Sequence, residues 1–254
     1  MQKPTVRNIT YFLNKTLRVK KIKDASMNGL QVRSRRTGGI ETVGFAVDAC
    51  LSTFEKAKKL DVGLLVVHHG IKWRPQKDRD LEKQRSAYLV RNGMALYAAH
   101  LPLDLHEDYG NNAQLARLLD LRGLRKFGRY HGVKIGCAGA LRSATGPAAV
   151  AAALGKRLGS ACRVLSYGKE RVRTIGIVSG GGGSMLPDAV KEGLDCFLTG
   201  EVDLAVFNAA RDRRINLIVA GHYRTETLGV KALMPLVCET FGVETVFIED
   251  AKDI

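Results

Sequence analysis

Short apolar runs alternate with amphipathic stretches along the first half of this chain. ETVGFAVD (41–48) is followed by the helix-like stretch STFEKAKKL (52–60), in which Ser52 and Glu55 have the spacing of a capping box. VGLLVVHHG (62–70) is rich in Val and Leu without polar alternation, which predicts a strand covered on both faces. MALYAAHLPLD (94–104) predicts another strand, after a polar helical segment around 80–92. The order strand, helix, strand predicts an α/β fold.

The second half repeats this rhythm. Its predicted elements are a helix at 145–159, a strand and loop in VRTIGIVSGGGGS, a helix in LPDAVKEG, a strand with its exit in LDCFLTGEVD, a helix in DLAVFNAARDR, a strand with its exit in NLIVAGHYRTE, a helix in TLGVKALMPLVCETFG and a final strand in ETVFIED. The basic, glycine-punctuated stretch 122–139 is the predicted boundary between lobes. We therefore expect lobes of about 1–121 and 122–254 within one domain spanning 1–254.

Composition narrows the class of protein. No uncharged apolar run approaches the roughly 20 residues that span a bilayer, so the sequence does not predict a membrane protein. The N-terminal residues lack a compact apolar segment followed by a small-residue cleavage site, which predicts a cytoplasmic location. The five cysteines are far apart and form no C-x-x-C pair, so we expect neither a zinc knuckle nor a dithiol redox site.

The charge is high and unevenly distributed. The net charge is +15, and residues 1–40 carry ten Lys or Arg against the single acid Asp24. A second basic cluster at 122–134 includes the aromatic residues Phe127 and Tyr130. Each cluster is either a solvated face or a surface for nucleotide or nucleic acid. The candidate nucleic-acid-binding residues are Arg33, Arg35, Arg36, Arg125, Lys126 and Arg129.

Candidate chemistry gathers where the predicted strands end. VGLLVV leads into His68 and His69, MALYAAHLPL leads into Asp104, and NLIVAG leads into His222 with Glu226 four residues later. Functional groups in open α/β sheets lie just beyond the carboxyl ends of the strands. Imidazoles and carboxylates together are the ligands of zinc, iron, manganese or nickel.

These five side chains exceed what one tetrahedral ion needs. Two adjacent divalent ions would use all of them, and we predict that the carboxylates of Asp104 and Glu226 are shared between the ions. His100 and His106 flank Asp104 and are predicted to orient its carboxylate. Each residue taken alone could instead be a hydrogen-bonded structural group or a helix cap.

A glycine run at 179–184 separates a predicted strand from a predicted helix. Backbone N–H groups at Gly180, Gly181, Gly182 and Gly183 could cradle a phosphate, although the run lacks the Gly-Lys-Ser/Thr end of a P-loop. A tight turn is an equally good interpretation.

Motifs spread along the chain resemble the dinuclear metal-binding YbgI-like family, whose members are widely named GTP cyclohydrolase I type 2 homologues. The motifs are NGLQV (28–32), VVHHG (66–70), HLPLD (100–104), GNNAQLA (110–116), LTGEVD (198–203) and GHYRTETLGV (221–230). The resemblance implies a two-lobed α/β sandwich without an inserted central domain, a dinuclear metal centre in the cleft between lobes, and a hexameric ring. It places the metal ligands on His68, His69, Asp104, His222 and Glu226.

Three functions remain open from the sequence. The first is a metal-dependent hydrolase in which two divalent ions per subunit activate a water; the cyclohydrolase name suggests GTP as a substrate to test. The second is a nucleic-acid-binding oligomeric ring whose metals are structural or regulatory. The third is a metal-handling scaffold without turnover.

Overall fold

A computed structural model describes residues 3–34, 36, 38–76 and 78–250 of the chain. The described residues divide by their internal contacts into two units. The first unit contains residues 3–106 and 230–250, and the second contains residues 107–229. Among the described helices, none has both the length and the apolar character needed to cross a membrane.

The first unit is built on a mostly parallel sheet. Its strands are β1 (Gly29–Val32), β2 (Thr42–Asp48), β3 (Leu64–His69), β4 (Ala95–Ala98) and β11 (Glu244–Phe247). They are hydrogen-bonded in the order β1-β4-β3-β2-β11, with β1 antiparallel to β4 and the other neighbours parallel. The helices of this unit include α1 (Val6–Thr16), α2 (Leu51–Lys59), α3 (Arg79–Arg91) and α4 (Leu101–Asp104).

Apolar burial explains the parallel strands of this unit. Residues 64–68 of β3 are all buried, as expected for a strand covered on both faces. Leu65 and Val67 pack in one core cluster with Phe54 of α2 and Leu96 of β4. The predicted strand at 94–104 is shorter than expected, because the chain leaves the sheet after Ala98 and α4 begins at Leu101.

The second unit also has a mixed sheet. Its strands are β5 (Arg122–Tyr130), β6 (Val133–Thr145), β7 (Arg163–Leu165), β8 (Val172–Val178), β9 (Cys196–Thr199) and β10 (Asn216–Val219). The order is β5-β6-β8-β9-β10-β7, in which β8, β9 and β10 are parallel and the remaining neighbours are antiparallel. The helices are α5 (Asn111–Leu118), α6 (Pro147–Leu158), α7 (Leu186–Lys191), α8 (Leu204–Asp212) and the start of α9 (His222–Phe241).

The stretch 122–139, which was predicted as the boundary between lobes, lies in the hairpin of β5 and β6. Residue Phe127 of β5 is fully buried, so this strand contributes to the core of the second unit. Gly123, Gly128 and Gly132 have positive φ angles, which glycine adopts without steric cost at the irregular and turning positions of the hairpin. The glycines that suggested a boundary are therefore part of the strand pairing.

The division by contacts differs from the expected lobes of 1–121 and 122–254. Leu115, Ala116 and Leu119 belong to a core cluster with Val150 and Ile175, so α5 joins the second unit. At the other end, β11 pairs with β2 and returns the C-terminal part of the chain to the first unit. The α/β fold class predicted from the sequence is confirmed.

Candidate metal centre

Three histidines of the first unit converge beyond the carboxyl ends of neighbouring strands. His68 and His69 end β3, and His100 follows β4. The ring centroids lie 4.6 Å apart for His68 and His69, 5.1 Å for His68 and His100, and 5.6 Å for His69 and His100. One ring nitrogen from each lies within 4.8 Å of the other two. These three rings could hold a metal ion.

Hydrogen bonds fix the orientation of each ring through its Nδ1 atom. His68 Nδ1 donates to the backbone oxygen of Ala99 at 2.9 Å, since a carbonyl can only accept. His69 Nδ1 pairs with Asp48 Oδ1 at 2.9 Å, and His100 Nδ1 pairs with Asp24 Oδ1 at 2.9 Å. Bonding of Nδ1 to an acceptor makes Nε2 the nitrogen that a metal would take. The donor set therefore fits a divalent transition metal.

Asp24 is a carboxylate of this group that was not predicted from the sequence. It accepts hydrogen bonds from His100, the Asn28 side chain and the backbone N–H groups of Ser26 and Leu101. Burial alone would raise the pKa of Asp24, but these hydrogen bonds and the charge of His100 outweigh burial and lower its pKa to about 2. The ionised carboxylate anchors the ring of His100.

Asp104 brings an acid to the same unit. It is the last residue of α4, it is buried, and its Oδ2 atom lies 3.6 Å from His68 Nε2. Imidazole and carboxylate ligands in this combination suit zinc, iron and manganese alike. The distance of 3.6 Å shows that His68 and Asp104 lie close together, as predicted. A further acid, Asp48, ends the neighbouring strand β2.

His100 and His106 were predicted to orient the carboxylate of Asp104. The structure gives the His100 ring a different partner, Asp24, and brings that ring into the three-histidine group. The backbone N–H of His106 donates to Leu103 O at 3.1 Å in the turn after α4. Its predicted effect on Asp104 stays a prediction.

The second unit carries its own imidazole and carboxylate group. His222 begins α9, and Glu226 lies one helical turn later. His222 Nε2 is 3.2 Å from Glu226 Oε2, and its Nδ1 is 3.1 Å from Glu201 Oε1. Burial lowers the pKa of His222, but hydrogen bonds and charge interactions with Glu226 and Glu201 outweigh burial and raise its pKa to about 9. The two acids thus favour the protonated form of this ring.

The predicted phosphate loop is packed closely against this group. Gly180 has a φ of +59°, and a Cβ atom there would lie 2.0 Å from Glu226 Oε1. Its N–H donates to Thr225 Oγ1 at 3.0 Å, so that amide serves the protein interior. The absence of a side chain at Gly180 therefore leaves space for the carboxylate of Glu226. Phosphate binding by Gly181, Gly182 and Gly183 stays a prediction.

The first basic cluster lies in the first unit. Arg33 is exposed, and Arg36 forms an ion pair with Asp61 at 2.7 Å. Arg35 lies outside the described residues. An exposed ion pair of this kind contributes little to stability, so Arg36 can exchange its partner at small cost.

The second basic cluster lies on the β5–β6 hairpin. Arg125 pairs with Glu192, and Lys126 pairs with Glu107 at 3.4 Å. Arg129 Nη1 donates to Gly132 O at 3.1 Å. The three basic side chains are exposed, which leaves nucleic-acid binding as a prediction for both clusters.

Comparisons with known proteins agree with this fold and with the sequence motifs. A family model described as Duf34/NIF3 (NGG1p interacting factor 3) matches residues 4–254. A relative from Pyrococcus abyssi named "GTP cyclohydrolase 1 type 2 homolog" is 42% identical over 243 residues, which are 95% of this chain and 96% of the relative. A relative with the same name from Archaeoglobus fulgidus is 39% identical over 242 residues, again 95% and 96% of the two chains.

Two solved structures are similar over nearly the whole chain. The structure of the protein ybgI, of unknown function, has a TM-score of 0.89 and 30% identity, covering 98% of this chain and 100% of that one. A crystal structure from Thermus thermophilus has a TM-score of 0.82 and 38% identity, with coverage of 98% and 99%.

Proposed function

The chain belongs to the Duf34/NIF3 family, and from that premise we propose that it is a hydrolase dependent on divalent metal ions. The proposed ligands are His68, His69, Asp104, His222 and Glu226, which would hold two ions per subunit. The ring of His100, which lies in the three-histidine group, is added to them as a further candidate ligand. Because the curated relatives are named GTP cyclohydrolase 1 type 2 homologs, the proposed substrate class is a nucleoside triphosphate such as GTP.

The main support for the proposal is the group of His68, His69 and His100, in which each Nδ1 atom is hydrogen-bonded to an oxygen. A structural histidine usually satisfies one or both nitrogens with separate partners, whereas ligand histidines share a common point on their Nε2 side. Here three rings approach one another within 4.8 Å between ligand atoms. A second acidic group, Glu226 with Glu201, flanks His222 in the other unit.

Side chains of these kinds would hold a divalent ion, whose Lewis acidity would activate water for hydrolysis. Asp48 and Asp24 hold the rings of His69 and His100 in the orientation that presents Nε2. Asp104 and Glu226 are the proposed shared ligands, because a carboxylate has two oxygens and can serve two ions. Gly180 leaves space for the Glu226 carboxylate.

Metal content tests the ligand assignment. We expect wild-type protein to bind about two ions per chain, as a two-metal site requires, and His68→Ala and Glu226→Gln each to lower that ratio. His131→Ala is the matched control, since His131 is exposed on the β5–β6 turn and should leave the ratio unchanged. An unchanged ratio in Glu226→Gln would remove Glu226 from the ligand set.

Turnover tests the hydrolase class separately. Protein loaded with zinc, manganese or iron is offered GTP and a panel of phosphodiesters, and we expect hydrolysis that His68→Ala abolishes. Two bound ions without turnover of any compound would instead support the metal-handling scaffold.

Nucleic-acid binding is a second candidate, favoured by the net charge of +15 and by the exposed basic residues of the β5–β6 hairpin. Charge reversal at Arg125 and Arg129 should weaken binding to a DNA duplex and reduce its salt dependence while metal content stays constant. No binding at low salt would contradict this candidate. The proposed hexameric ring is tested by the mass of the particle in light scattering.

A further inference from the structure

A small cavity lies in the first unit next to the three-histidine group. It has a volume of about 150 Å³. Its apolar lining comes from Ile71, Trp73 and Leu81, and its charged lining includes Glu82 and Arg85 of α3. A cavity near 150 Å³ can hold one benzene-sized ring. Since all lining residues belong to the first unit, the cavity is defined within that unit alone.

Trp73 connects this cavity to the histidines. Its Nε1 donates to Gly70 O at 2.8 Å, which fixes the plane of the indole ring. The ring centroid lies 5.1 Å from that of His100 and 6.1 Å from that of His69. A ligand that stacks on Trp73 would therefore be separated from the proposed metal ligand His69 only by the indole ring.

Arg85 lines the cavity and carries a guanidinium group. Its Nε atom is shielded from solvent and has no hydrogen-bond acceptor among the described residues. Its guanidinium forms no ion pair with a described acidic residue. The carboxylate of Glu82, one turn earlier on α3, instead accepts from Gln76 Nε2. The terminal N–H groups of the guanidinium are the donors that a ligand in the cavity would contact, and their planar fork suits a ligand with two adjacent acceptors.

These features together define the chemistry of the ligand. The flat aromatic wall selects a planar ring, and the cavity size admits one ring of a fused pair, with the rest extending outward. The fork of Arg85 matches an exocyclic oxygen next to a ring nitrogen acceptor, which is the O6 and N7 edge of a 6-oxopurine. A 6-aminopurine of the same shape presents a donor in place of that oxygen.

We propose that the cavity between Trp73 and Arg85 binds the base of a 6-oxopurine nucleotide. A role of this cavity in substrate recognition rests on the proposed hydrolase function. Binding of the base itself can be tested without metal and without turnover.

Tryptophan fluorescence provides a direct test, because Trp73 is the single tryptophan of the chain. Protein treated with EDTA is titrated with guanosine and with adenosine, with correction for absorption by the nucleosides. We expect saturable quenching by guanosine. Adenosine should bind about 5- to 150-fold more weakly, the discrimination typical of one bidentate arginine contact with a base edge.

Two variants on the same helix separate a specific contact from a charge effect. Arg85→Gln should weaken guanosine binding by a similar factor and leave adenosine binding nearly unchanged. Arg91→Gln removes the same charge from an exposed position in the last turn of α3 and should bind guanosine as the wild type does. Far-ultraviolet circular dichroism of both variants confirms that α3 is folded.

The results distinguish this proposal from the hydrolase proposal. Absence of saturable guanosine quenching, or equal affinity in Arg85→Gln and Arg91→Gln, would overturn the base site. Metal-loaded Arg85→Gln that hydrolyses GTP with an unchanged KM would also overturn it while the hydrolase stands. Guanosine binding in a protein without any turnover would keep the base site and refute the hydrolase.

Discussion

Replacing Gly180 by alanine should damage the candidate metal centre more than the fold. Gly180 has a φ of +59°, a region that L-residues enter at a cost of about 1–2 kcal/mol. The added Cβ would lie 2.0 Å from Glu226 Oε1, whereas real Cβ atoms essentially never approach closer than 3.0 Å. The carboxylate oxygen must therefore move by at least about 1 Å, since 3.0 − 2.0 = 1.0 Å.

The movement is possible because the clashing atom is the end of a side chain and not backbone. The free energy of unfolding should then fall only by the conformational cost, which corresponds to a decrease in Tm of about 2–8 °C for a protein of this size. Metal affinity should fall by about 10- to 100-fold, as it does when a group that positions a ligand is lost.

Thermal unfolding, monitored by circular dichroism, measures the change in Tm. Metal titration in competition with a chelator measures the change in metal affinity. Gly181→Ala is the matched control. Its φ is −77°, and its Cβ would lie 3.4 Å from the nearest atom, Glu201 Oε1. We expect that variant to stay within about 0.5 kcal/mol of wild type. If Gly180→Ala and Gly181→Ala bind metal equally well, the assignment of Gly180 as the residue that admits Glu226 is refuted.

Three further predictions concern other parts of the molecule. Asp48→Ala removes the acceptor of His69 Nδ1 and should lower metal affinity by about 10- to 100-fold in chelator competition; unchanged affinity would contradict that positioning role. Gln31→Ala leaves the backbone N–H groups of Ile71 and Lys72 without their acceptor and should cost about 2–4 kcal/mol in urea unfolding. A loss below about 0.5 kcal/mol would contradict the importance of this acceptor. Burial raises the pKa of Asp195, but hydrogen bonds from Lys169, Thr174 and the N–H of Arg173 outweigh burial and lower it from 3.8 to about 2; the stabilisation is therefore present above pH 3.8 and lost as pH falls towards 2. The difference in free energy of unfolding between wild type and Asp195→Asn should shrink over that range, and a difference independent of pH would refute it.

Much of the fold follows from hydrophobic patterning alone. Strands β2, β3 and β8 were predicted because each is a short apolar run that ends in polar or glycine residues, a pattern typical of strands. The meeting of His68 and His69 was also predicted, since the sheet ends at that point and the alternation of side chains need not continue.

Long-range features were not accessible from the sequence. The partnership of Asp24 with His100 joins residues 76 positions apart, and nothing near Asp24 in the sequence indicates it. The pairing of β11 with β2 likewise depends on tertiary contacts, so the contact boundary inside α9 between residues 229 and 230 has no composition signal. Glycines at 123, 128 and 132 suggested a boundary between lobes, because the positive φ that glycine adopts is used in turns, bulges and loops alike.

Both units place their polar groups by the same structural means. In the first unit the carboxyl ends of the adjacent parallel strands β2, β3 and β4 lead to Asp48, to His68 and His69, and to His100. In the second unit the ends of β8, β9 and β10 lead to a glycine, to Glu201 and to His222.

This placement has a physical advantage. The buried parallel strands β2, β3 and β9 consist mostly of apolar residues, among which an unpaired imidazole or carboxylate would carry a large desolvation cost. At a strand end the backbone is released from the ladder, so its carbonyls and the neighbouring carboxylates can accept from a ring N–H, as Ala99 and Asp48 do. The buried strands therefore fix where the histidines stand, and the acceptors at the strand ends fix which nitrogen each presents. Substitutions in the two regions should accordingly separate, with strand interiors governing stability and strand ends governing metal affinity.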